Sequence, residues 1–83
     1  MNSVQCKMAR VALGLGVRDL AKKAGVSPDT VARLERGESL RESTVNVVKA
    51  AFEREGLEFI SENGGGVGVR FSKPGSQTTK VSA

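Results

Sequence analysis

Histidine, tryptophan and tyrosine are absent from this chain, and cysteine occurs once. Without histidine no side chain has an ordinary pKa near neutrality, and with a single thiol neither an intramolecular disulfide nor a cysteine-based zinc site can form. The carboxylates are scattered over what read as solvated helical faces, with no nucleophile beside a base, so the sequence points away from an enzyme and calls for no cofactor. No apolar run approaches the roughly 18 residues that a membrane span needs. Met1-Asn2-Ser3 does not begin the basic, then apolar, order of a secretion signal, so the expected home is the reducing cytoplasm, away from membranes.

Acidic residues are also in deficit. Nine Asp and Glu face 13 Lys and Arg, a formal charge of +4, and the sequence pI near 9.7 favours a polyanionic partner. At 83 residues the chain has room for one modest core and none for a separate ligand-sensing domain. A core this poor in aromatics invites a partner subunit.

The periodicities predict a mostly α domain of four helices, a C-terminal β-hairpin and a disordered tail, with residues 1–71 as the domain and 72–83 as the tail. Val4, Met8, Val11 and Leu15 recur at helical spacing behind an Asn2 or Ser3 cap, and Gly14 and Gly16 end that helix. Cys6, beside the stripe, reads as a small core residue. Val17, Leu20, Ala21 and Ala24 mark a second, two-turn helix closed by Gly25. Ser27-Pro28-Asp29 is a strong start for a third, carrying Val31 and Leu34 inward and closed by Gly37. Val45, Val48, Ala51 and Phe52 mark a fourth, from Ser43 or Thr44 to Glu55.

Beyond Gly56 the period changes to that of strands. Leu57, Phe59 and Ile60, then Val67, Val69 and Phe71, flank the turn at 61–66. The run Gly64 to Gly68 lacks the strand-to-helix context and Lys-Ser/Thr ending of a phosphate loop, so it reads as a hairpin turn. Two short strands make a marginal sheet, and these six apolar residues are candidates for dimerisation; folding back over the chain's own helices, or dimerisation through the fourth helix, are the alternatives.

Two short helices joined through Gly25-Val26-Ser27 have a specific logic. Ala21 lets the third helix cross close over the second, and Gly25 permits the sharp reversal between them. Val26, Val31 and Leu34 anchor the third helix. Its other face, with Ser27, Asp29, Thr30 and Arg33, is left polar and outward, as a helix entering the major groove requires.

Gly14-Leu15, Leu20-Ala21, Gly25-Val26-Ser27, Val31, Leu34-Glu35 and Gly37 resemble, in order and spacing, the Cro and phage-repressor (XRE) type of helix-turn-helix protein. The likeness runs from about Cys6 to Phe52. The segment from Gly56 to Arg70 resembles the short C-terminal β extension of a small bacterial or mobile-element branch. The resemblance implies base reading by Ser27, Pro28, Asp29, Thr30 and Arg33, with Arg33 suited to guanine O6 and N7. It also implies an internal ion pair between Arg10 and Glu35.

Where such proteins carry a Ser or Asn cap and a phosphate-clamping Gln at the second helix, this chain has Gly16 and Val17. Backbone N–H groups at Val17, with Arg18, Lys22, Arg36 and Arg41, are the expected replacements. The function implied is a homodimeric, nucleoid-associated transcriptional repressor on an inverted-repeat operator in double-stranded DNA. The alternatives are a helix-turn-helix surface repurposed to bind protein, as in an antiactivator or antitoxin, and a recombination accessory factor.

Overall fold

A computed structural model describes residues 1–61 and 64–72. Four helices and an antiparallel hairpin follow one another as α1 (Ser3–Ala12), α2 (Val17–Ala24), α3 (Pro28–Glu35), α4 (Glu42–Arg54), β1 (Leu57–Ile60) and β2 (Gly68–Phe71). The fold class is the one that the periodicities predict. The expected tail lies outside the described residues except for Ser72. That residue belongs with the hairpin: its backbone N–H and its hydroxyl both donate to the Gly56 carbonyl, at 2.7 and 2.9 Å.

Local chemistry sets most boundaries. Asn2 accepts from the Gln5 N–H at 2.8 Å while the Gln5 side chain accepts from the Asn2 N–H at 3.0 Å, a reciprocal cap that starts α1. Gly25, with φ of 74°, takes the left-handed conformation that ends α2. The start of α4 departs from expectation. It begins at Glu42, ahead of Ser43 and Thr44, and the Arg41 side chain does not cap it. Leu40 and Val45, on either side of that start, both pack against the core, so apolar anchoring sets the boundary and neither hydroxyl caps it.

The largest fully buried side chains are Phe52, Leu20, Val31, Val48 and Cys6. Ala9, Ala21, Ala24 and Ala51 fill the close approaches between helices. The hairpin lies on α1 and α4, with Phe59 set edge-on to Phe52 at 5.9 Å between ring centres. Gln5 ties it down: its amide Nε2 donates to the carbonyls of Ile60 at 2.9 Å and Gly68 at 3.1 Å.

One face is corrected. The stripe expected to bury α1 points largely to solvent, with Val4 54% and Val11 67% exposed, and the buried positions are Gln5, Cys6 and Ala9. The helix is turned by about one residue, or about 100°, from the reading that hydrophobicity suggests. Cys6 meets Glu35 of α3, Ala9 is wholly buried, and the polar ties made by Gln5 and Arg10 hold that rotation.

Candidate nucleic-acid interface

The interface is built on α3. Val31, Leu34 and Glu35 are buried and fix one side of it. Ser27, Pro28, Asp29 and Arg33 are exposed and Thr30 is half-exposed. The Ser27 hydroxyl oxygen accepts from the Thr30 N–H at 3.1 Å and lies 2.9 Å from the Thr30 hydroxyl, so the first turn is capped within itself. Asp29, Arg33 and Arg36 follow at steps of four and three residues and share one line along the helix.

Neither arginine extends alone into solvent. Arg33 Nε donates to Glu38 Oε1 at 2.9 Å, and Arg36 donates to Glu38 Oε2 through Nη2 at 2.7 Å and Nε at 3.2 Å. The hydrogen bonds from Arg33 and then Arg36 hold the Glu38 carboxyl below its ordinary range, and the same contact with Glu38 raises Arg33. The sequence reading gave Glu38 no role. The available signal was its position just past Gly37, five residues after Arg33.

The expected phosphate contacts are distributed around this helix. Arg18 and Lys22 are exposed and stand four residues apart on one face of α2. Arg41 is exposed at the cap of α4. Val17 is half-buried against the core, which leaves only its backbone to face an anion. At the start of α2 the Gly16 N–H already donates to Asp19 Oδ2 at 2.9 Å. Asp19 is a second residue that the sequence reading passed over, three residues after the cap, and its charge opposes a phosphate there.

Arg10 belongs to the frame. It meets Glu35 through two hydrogen bonds, at 2.8 and 3.0 Å, and donates from Nη1 to the Leu15 carbonyl at 3.1 Å. Cys6 Sγ approaches the same carboxylate at 3.7 Å. Burial, then the Glu35 charge, pushes this thiol up to about 12.

Among the six apolar hairpin residues, Leu57 is 3% exposed and belongs to the chain's own core. Phe59, Val69 and Phe71 pack partly against that core. Ile60 and Val67 are half-exposed. Among the described residues no helix is long and apolar enough to cross a membrane.

No curated protein matches this sequence. A family model described as a helix-turn-helix domain matches residues 4–52, which takes in α1 from Val4, the whole of α2 and α3, and α4 as far as Phe52. That span is more than half of the 83 residues, and the chain belongs to the family of helix-turn-helix domains, a DNA-binding family.

Proposed function

We propose that the chain is a sequence-specific transcriptional regulator of the Cro and phage-repressor (XRE) type, acting as a repressor. It reads the major groove of double-stranded DNA with α3, needs no cofactor and works in the cytoplasm on the nucleoid. The observation that carries this reading is the two-sidedness of α3: Val31, Leu34 and Glu35 are buried, while Ser27, Pro28, Asp29 and Arg33 stay exposed on a helix whose first turn is already capped. A side chain presented on a rigid helix, with its backbone satisfied, is free to bond to base edges. Arg33 reads guanine, and Ser27, Pro28, Asp29 and Thr30 make the neighbouring contacts. Arg18, Lys22, Arg36 and Arg41, with the backbone at Val17, hold the phosphates on either side.

The binding domain comprises residues 1–71 with Ser72 attached. A homodimer on an inverted repeat forms through the hairpin, where Phe59, Ile60, Val67, Val69 and Phe71 are each only partly covered. Repression then needs nothing beyond occupancy of the operator.

A second reading, a surface repurposed to bind protein, is favoured by one observation: Asp19 and Glu38 place carboxylates where a phosphate would sit. In-vitro selection from a random duplex library decides between them. The expected outcome is an inverted repeat with half-sites about one helical turn apart, weakened steeply by salt and relaxed at one position by Arg33→Ala. No enriched sequence and no salt-dependent binding would give first place to the protein-binding reading.

A further inference from the structure

Glu38 is held where it stands by backbone as well as side chain. Gly37, with φ of 88°, turns the chain back at the end of α3. The Glu38 N–H then donates to the Arg33 carbonyl at 3.1 Å, while its carboxylate receives Arg33 on one oxygen and Arg36 on the other. Two guanidinium groups thus converge on a pair of anionic oxygens. A phosphodiester offers the same pair in its two unesterified oxygens, and guanidinium binds either by the same fork of donors.

We propose that Glu38 acts as an internal stand-in for a DNA phosphate, and that duplex binding proceeds by exchange of the Glu38 carboxylate for nucleic acid at Arg33 and Arg36. This rests on the DNA-binding reading above and adds to it a residue that sets how tightly any duplex is held. A contact made through these arginines, to phosphate by both in non-specific binding or to guanine by Arg33 at an operator, must first give up the Glu38 contact, so its net gain is small. Non-specific binding, which consists of the phosphate contacts, is thereby held down. The exposed site, with Arg33 at 44%, Arg36 at 59% and Glu38 at 41%, lets the exchange occur without rearrangement of the core.

The test is fluorescence anisotropy of a labelled mixed-sequence duplex with the full chain, across a salt series from about 50 to about 200 mM. Glu38→Gln keeps the shape and removes the charge; Glu53→Gln on the exposed side of α4 makes the same change in net charge elsewhere. Glu38→Gln is expected to tighten binding by about 5- to 10-fold at low salt and to steepen the salt slope by up to about one, because no carboxylate is left to take up a cation when the arginines depart. Glu53→Gln is expected to change affinity by less than about twofold. In an Arg33→Ala/Arg36→Ala background the gain from Glu38→Gln is expected to vanish.

A gain equal to that of Glu53→Gln, or one that persists without the two arginines, would overturn the inference. Salt-sensitive binding by the unaltered chain with no gain in Glu38→Gln would remove Glu38 and leave the DNA-binding reading standing. Absence of salt-sensitive binding in every variant would overturn both.

Discussion

Arg10 grips Glu35 with both prongs of its guanidinium, Nε to Oε2 at 2.8 Å and Nη2 to Oε1 at 3.0 Å, and so fixes how α1 and α3 sit against each other. Glu35 is 8% and Arg10 20% exposed, so the short carboxylate above all is poorly hydrated if left alone. Arg10→Met is expected to cost about 3 kcal/mol, because it strands a carboxylate in the interior. Glu35→Leu should cost less, about 2 kcal/mol, since the longer arginine can swing towards water. The double variant should recover part of the loss. Urea unfolding of all four proteins checks this, and strictly additive costs would show that the pair is not coupled.

Cys6 gives the alkaline side of the stability curve a definite sign. Its thiol, pushed up to about 12 by burial and the Glu35 charge, keeps its proton where an unfolded cysteine, ordinarily near 9, loses it. Between those values the folded chain binds one more proton than the unfolded chain. The contribution is therefore complete below the unfolded value and declines as pH rises, by at most about 1.4 kcal/mol per pH unit. Unfolding free energies of the native chain and Cys6→Ala should converge above about pH 9. Below that, a thiol reagent should label Cys6 only as fast as the chain opens.

On the hairpin, Glu58 and Arg70 face each other across the strands, with Nε donating to Oε1 at 2.7 Å. That bond, and then the charge behind it, holds the Glu58 carboxyl below its ordinary range. The pairing favours the folded hairpin above the unfolded carboxylate pKa and is lost as pH falls through the lowered one. A carboxyl titration followed by NMR should give Glu58 a midpoint under 4.5, and Arg70→Gln should return it towards that value. Both groups are exposed, so global stability should change little.

What the sequence made legible is the chemistry that acts over three or four residues. Ser27-Pro28 starts α3 through a bond from Thr30 to Ser27, and Gly25 ends α2 through its own φ. The alternation of Leu57 and Phe59 with Glu58, and of Val69 and Phe71 with Arg70, gives the hairpin because strand period is also local. The outward face of α3 follows from the same reasoning, once Val31 and Leu34 are taken as its anchors.

Partners distant in sequence were legible only where the resemblance supplied them, as it did for Arg10 and Glu35. Gln5 bonds to carbonyls 55 and 63 residues away, and nothing around Gln5 encodes that meeting. The Glu38 contact depends on the direction of the chain after Gly37, so a short polar connection concealed the residue that engages both arginines. Leu57 heads a strand with a typical dimer-contact composition, yet its place beside α4 puts it in the core.

The rotation of α1 shows why hydrophobicity alone chose the wrong side, and it can be tested directly. Val4, Met8 and Val11 share the helical period of Gln5, Cys6 and Ala9 but lie one residue out of phase, and they are the more apolar set. Packing selected the smaller set, because Cys6 meets Glu35 of α3, Ala9 is wholly buried and the hairpin carbonyls need the Gln5 amide. Val11→Lys should therefore change stability by less than about 0.5 kcal/mol, as exposed substitutions do. Ala9→Leu should cost about 1–3 kcal/mol by overfilling the core around that position. Gln5→Ala removes half of the cap and both ties to the hairpin, and should cost about 2 kcal/mol, with faster amide exchange in β1 and β2. If Val11→Lys proved the most damaging of the three, α1 would have to be turned back to the face that its hydrophobicity suggests, and the Gln5 ties would have to be abandoned.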